Sequence, residues 1–212
     1  MNLPLGEHIG FLGSTGSGKT HRYRSTVEPV FPREIVVDTE YDLRERSSFD
    51  FDDLPEVKGT GVAVGKAIDW AGDKAFRWRW HPDPNDIAGS VEILCQHLLM
   101  KGRDMVVYFD EISDYSSALV AGNWLKQMPR KGRKRRITVA WGTQRAAGVN
   151  HWFLSNSDHL FVTYLKPDEL ALMPRYFGAD TIARFRTLHY GKVDGIWDFL
   201  YRDPRGTWRN ME

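Results

Sequence analysis

Apolar stretches of strand length alternate along this chain with stretches whose apolar residues recur at helical spacing. That order predicts a mostly parallel sheet covered by helices. Strands are expected over 8–12 and 35–37, the second ending at Asp38. The acid- and turn-rich segment 39–59 reads as loop. A short strand is expected over 61–64, then a helix over 65–71. Residues 76–80 alternate Phe, Arg, Trp, Arg, Trp, the pattern of a half-buried strand. Residues 86–99 read as a helix, with Ile87, Val91, Leu94, Leu98 and Leu99 on one face. Met105, Val106, Val107, Tyr108 and Phe109 form a continuous apolar run, suited to the buried centre of a parallel sheet. A helix over 115–127 should stop at Pro129. Strands follow over 137–141 and 159–165, with short helices over 148–155 and 167–176. Two antiparallel strands are expected near 185–190 and 195–201. Residues 1–202 thus read as one domain and 203–212 as a tail.

The chemistry sits at two strand ends. Gly13, Ser14, Thr15, Gly16, Ser17, Gly18, Lys19 and Thr20 match G-x-x-x-x-G-K-[ST], directly after the first strand and opening a helix. In such a loop backbone N–H groups turn inward around phosphate oxygens at the positive end of a helix dipole. Lys19 places a charge on the β- and γ-phosphates, and Thr20 offers its hydroxyl to Mg²⁺. The apolar strand 105–109 ends in Asp110 and Glu111. Asp110 is the expected Mg²⁺ residue, and Glu111 the base for an attacking water. A glutamate beside the metal aspartate favours hydrolysis over transfer to a small acceptor. ATP and Mg²⁺ are therefore the expected ligands. Thr143, Gln144 and Arg145 close the next strand, where a glutamine can touch the γ-phosphate and report its loss. Asp38 and Glu40, at the second strand end, are candidates to assist the water or the metal.

Charge is nearly balanced overall, 29 basic residues against 28 acidic, but unevenly placed. Residues 130–136 read Arg-Lys-Gly-Arg-Lys-Arg-Arg, and without them the remainder has 23 basic residues against 28 acidic. A local basic patch is the usual footprint of a polyanion site. Lys131, Lys134 and Arg135 are candidates to hold DNA phosphates, and an arginine of the run could serve as a finger in phosphoryl transfer. With one cysteine, Cys95, no internal disulfide can form. No apolar run reaches the length of a membrane span, and residues 1–7 lack the regions of a signal peptide. A protein working inside a cell is expected.

The sequence of phosphate loop, Asp110-Glu111 strand, basic run, apolar strand and Thr143-Gln144-Arg145 resembles the FtsK–HerA superfamily of DNA-pumping ATPases over about residues 8–165. The resemblance implies a P-loop NTPase fold of the RecA/ASCE kind, with possible antiparallel strands at the C-terminal end. It also implies a homo-oligomeric ring, usually a hexamer, with double-stranded DNA in its channel. An arginine acting on the neighbouring subunit's nucleotide is a further family feature. Arg133 is the matching position, with Arg130 and Arg136 as competitors.

A bare motor of this length resembles the genome-packaging ATPases of icosahedral viruses with an internal membrane. That resemblance implies capsid-vertex or portal-like partners, and a place in the host cytoplasm or at a vertex of the virion. The alternatives are a non-viral translocase or conjugation-type motor, a nucleotide-gated scaffold, and a small-molecule kinase.

Overall fold

The computed structural model describes residues 3–39, 54–116, 122–194 and 196–211. The segment 40–53, which holds Glu40 and most of the expected loop, lies outside them, as does part of the helix expected over 115–127.

The elements run β1 (Ile9–Leu12), α1 (Lys19–Thr26), β2 (Arg33–Val37), α2 (Gly61–Ala71), β3 (Phe76–Trp80), α3 (Ile87–Met100), β4 (Met105–Phe109), α4 (Ile112–Tyr115) and α5 (Asn123–Lys131). There follow β5 (Ile137–Thr143), α6 (His151–Asn156), β6 (His159–Val162), α7 (Pro167–Leu172), α8 (Ala179–Phe185), β7 (Lys192–Val193), β8 (Ile196–Trp197), β9 (Phe199–Arg202) and β10 (Trp208–Met211).

Eight strands form one sheet in the order β10-β9-β6-β1-β5-β4-β2-β3. The six from β6 to β3 are parallel, whereas β9 and β10 join antiparallel at one edge. Side chains of a strand alternate between faces, so each strand feeds two cores. One face turns Phe11, Val36, Val106, Tyr108 and Phe161 toward Tyr23 of α1 and Val27 just beyond it. The other turns Ile35, Val37, Val107, Phe109, Val139 and Trp141 into a larger core with Val64, Ile68, Leu94, Leu98 and Met128. Both cores meet in the central strands β1, β5 and β4, and those strands end at the chemical residues.

Four expectations change. Residues 61–64 begin α2 rather than a strand: the Thr60 hydroxyl caps the helix at Ala63 N–H, and Gly65 lets the helix close on His97 of α3. Pro129 does not stop a helix but lies within α5, where its carbonyl faces His8 at 2.5 Å. Residues 203–211 are not a tail. Asp203 accepts hydrogen bonds from the N–H groups of Arg205 and Thr207, which turns the chain so that Trp208–Met211 pairs with β9. The antiparallel strands of the large sheet thus lie over 199–202 and 208–211, and no strand forms over 185–190, where α8 ends at Phe185.

His8 ties the start of β1 to α5 and β5. Its Nδ1 accepts from Val139 N–H at 3.0 Å, so Nε2 carries the proton and donates to Pro129. Burial, and then the charge of Arg133, push its pKa down from 6.5 to about 4. The unfolded chain therefore takes up this proton at a higher pH than the folded one. Its contribution to stability is full above pH 6.5 and is lost as pH falls toward 4. We expect the wild type to lose about 2 kcal/mol more than a His8→Gln variant between pH 7 and pH 5, read from urea midpoints.

Candidate functional site

The phosphate loop follows β1 and is clamped from both neighbouring strands. Gly13 N–H donates to the Thr143 carbonyl of β5 at 3.2 Å, and Ser14 N–H to the Tyr164 carbonyl just beyond β6 at 2.9 Å. The Thr163 hydroxyl donates to the Ser17 carbonyl at 2.9 Å. Gly16 and Gly18 stand at φ +72° and +93°, a region that a side chain strains. Lys19 is buried with its Nζ 3.2 Å from the Ser14 carbonyl, folded back across the loop. The Ser14 hydroxyl is buried without a hydrogen-bond partner among the described residues. A clamped loop with two left-handed glycines, an inward lysine and an orphaned hydroxyl fits the phosphates of a nucleotide.

β5 lies between β1 and β4 in the sheet, so Gln144 emerges between the phosphate loop and the paired carboxylates. The Gln144 side chain accepts a hydrogen bond from the Thr15 hydroxyl. Its backbone N–H donates to Glu111 Oε2 at 2.7 Å. Glu111 Oε1 accepts from Thr143 Oγ1 and from Ser113 Oγ, each at 2.5 Å. A continuous polar connection thus runs from the loop through Gln144 to the proposed base. Asp110 accepts from the Tyr108 hydroxyl at 3.2 Å, and its N–H donates to the Val37 carbonyl. That last bond sets Asp38 beside Asp110 at the same strand ends. Burial and the charges of Asp110, Asp38 and Asp114 push up the pKa of Tyr115, so its phenol stays protonated and donates to the Val37 carbonyl. Asp110 and Thr20 carry oxygen donors, the ligand type that Mg²⁺ takes.

The sequence-level candidates from Gly13 to Thr20, with Asp110, Glu111 and Gln144, therefore share one edge of the sheet. The basic run does not. It precedes β5 and lies at the opposite edge. There Arg133 pairs with Asp158 at 2.8 Å and donates to the Asn156 carbonyl. Arg135 donates to the carbonyls of Met100 and Gly102, and Arg136 pairs with Asp104 at 3.0 Å. Arg130, Lys131 and Lys134 are exposed. Trp78 packs against Phe76 with ring centroids 4.3 Å apart.

Sequence reasoning missed Ser113, Thr163 and Tyr164, which hold the base and the loop from neighbouring segments. Their signal was weak: Thr163 and Tyr164 stand where an apolar strand ends, the place where open α/β sheets carry their sites.

Sheet, loop and carboxylates together make the fold of a P-loop NTPase. Over its full length the chain resembles the genome packaging NTPase B204 from Sulfolobus turreted icosahedral virus 2. With B204 in complex with sulfate the TM-score is 0.74 at 15% identity, covering 100% of this chain and 98% of that one. With B204 in complex with ATP-gammaS the TM-score is 0.72 at 16% identity, with the same coverage. The cytoplasmic domain of the type VII secretion ATPase EccC from Thermomonospora curvata matches at TM-score 0.55 and 12% identity, over 99% of this chain and 25% of that one. No protein-family model matches the chain, and no curated protein matches it in sequence. None of the helices among the described residues is long and apolar enough to cross a membrane.

Proposed function

We propose that the chain is an ATP-hydrolysing motor that works as a ring on double-stranded DNA, packaging a viral genome into a preformed capsid. The observation that carries the reading is the convergence of the phosphate loop, Asp110-Glu111 and Gln144 at one sheet edge, joined by hydrogen bonds. The full-length likeness in fold to a genome packaging NTPase supports the task assigned to that machinery.

Gly13 to Thr20 would hold the ATP phosphates, with Lys19 on the β- and γ-groups. Thr20 and Asp110 would hold Mg²⁺, which when bound adds positive charge to the phosphate oxygens. Glu111 orients the attacking water and takes its proton. Oε1 already accepts from Thr143 and Ser113, whereas Oε2 accepts from the Gln144 N–H and keeps a lone pair for the water. Gln144 touches both the loop and Glu111, so a change at the γ-phosphate alters the base's own hydrogen bonding. That gives the sheet edge a means of linking the nucleotide state to β5. β5 begins at the basic run, so the two edges share one strand.

The partners on this reading are double-stranded DNA, further copies of the chain and proteins at a capsid vertex. Ring-forming interfaces join different faces of successive subunits. Arg133 sits at the edge away from its own phosphate loop, a placement that supports action on a neighbour's nucleotide. Of the candidate DNA contacts, Lys131 and Lys134 suit the role best, because Arg135 already donates to backbone carbonyls.

DNA affinity measured against salt tests this arm. Counterion release predicts that log affinity falls linearly with log salt, with a slope of about −0.9 per phosphate contact. Neutralising Lys131 and Lys134 to glutamine should lower the slope by about 2 across unrelated DNA sequences. An affinity that ignores salt, or that the double variant leaves unchanged, would remove the DNA-binding role from this run.

A further inference from the structure

The short hairpin of β7 and β8 touches the core of Phe11 and Tyr23 through Trp197 and stands against the phosphate loop. Its strands pair Lys192 with Trp197 and Val193 with Ile196, and His189 meets Asp198 at 3.3 Å across its base. An isolated two-stranded hairpin is marginal in water, so this one depends on what it touches. Trp197 lies directly on Gly18: a Cβ there would fall 2.5 Å from the indole. The Tyr190 hydroxyl approaches Gly16, 3.1 Å from where a Cβ would stand. The glycines of the loop thus admit two aromatic side chains from the hairpin as well as a tight turn.

Tyr190 is not absorbed by the fold, and Trp197 is only half-buried although it packs against a core. Tyr190 packs on Tyr164 with its ring at 71° and is otherwise open, 63% exposed. Val193 and Ile196 are 44% and 47% exposed, and Lys192 holds its ammonium 5.7 Å from the Trp197 ring centre. An apolar, aromatic surface bearing one cation beside a phosphate site suits the remainder of a nucleotide. The loop can grip only the phosphates, and the base is a flat apolar ring that must come to rest close by. Stacking on an aromatic side chain is the interaction such a ring accepts without a hydrogen-bond code.

Resting on the nucleotide reading above, we propose that Tyr190 and Trp197 form the base subsite, against which the purine of the bound nucleotide stacks. The β7–β8 hairpin is then part of the nucleotide site and not a surface ornament.

The test compares ATP with inorganic tripolyphosphate, which carries the phosphates without a base. Calorimetric titrations with Mg²⁺ would use the full chain as wild type, Tyr190→Ala, Trp197→Ala and Trp197→Phe. The two alanine variants should each bind ATP about tenfold more weakly. Their affinity for tripolyphosphate should stay at the wild-type value, and Trp197→Phe should keep most of the ATP affinity. If an alanine variant loses both ligands together, the aromatic merely props the loop and the proposal is overturned. It is equally overturned if neither alanine variant changes ATP binding. A wild-type chain that binds neither ligand would instead refute the nucleotide reading itself.

Discussion

A Glu111→Gln variant should bind ATP as the wild type does and hydrolyse it about 10²–10⁴-fold more slowly, the usual contribution of a positioned general base. The phosphate loop lies on a different strand end from Glu111 and meets it through Gln144, so binding should survive. Glutamine also keeps an oxygen to accept from Thr143 and Ser113, whose hydroxyls now hold the carboxylate. Its amide nitrogen cannot accept from the Gln144 N–H as Oε2 does, so the variant loses that bond together with the ability to take a proton. Lys19→Ala is expected to do the reverse. Its Nζ crosses the loop to the Ser14 carbonyl, and removing it leaves the phosphate charge without its nearest cation. Nucleotide titration paired with phosphate release separates the two variants. Near wild-type hydrolysis by Glu111→Gln would show that another group, such as Asp38, activates the water.

The second large effect concerns the arginine. Arg133→Ala should slow hydrolysis in the assembled state by about 10³-fold or more, the scale of an arginine supplied by a neighbour, without weakening ATP binding. Arg133 also pairs with Asp158, whose carboxylate accepts from the His8 N–H. A structural account would therefore expect a milder loss through that contact. Asp158→Asn is the control, since it breaks the ion pair and keeps the arginine. If Arg133 acts in trans, Asp158→Asn should remain active. Mixing inactive Arg133→Ala with inactive Lys19→Ala subunits should also restore part of the activity, because some interfaces then join an intact loop to an intact arginine. Equal losses in Arg133→Ala and Asp158→Asn, with no rescue on mixing, would make the residue a structural brace. The trans role would then pass to Arg130 or Arg136.

The phosphate loop and the Asp110-Glu111 pair were legible in the sequence because their signals are local. A strand, a glycine pattern and a carboxylate pair each fit within a few residues. The central strands were legible because β4 is apolar over its length, β5 mostly so, and both are buried on both faces. The order in which strands assemble was not, and it decides that Gln144 stands between Thr15 and Glu111. The misreadings have physical causes. Gly61, Val62, Ala63 and Val64 look like strand until Thr60 caps them and α3 accepts the close approach of Gly65. Residues 203–212 are polar enough to suggest a tail, but the Asp203 turn and the pairing of Trp208 with Arg202 return 203–211 to the sheet. Tyr190 and Trp197 gave no signal of their role, because only the tertiary fold sets them on Gly16 and Gly18.

Movement of the protein along duplex DNA tests the central claim most directly. A labelled third strand bound at one site on a long duplex would report passage of a motor by its release. The account predicts release by the wild type with ATP and Mg²⁺, at a time that lengthens with the distance between the entry end and the third strand. It predicts no release by Glu111→Gln, or with a non-hydrolysable ATP analogue. Steady ATP hydrolysis by the wild type with the third strand left in place would contradict the motor, and leave a P-loop ATPase that does not move DNA.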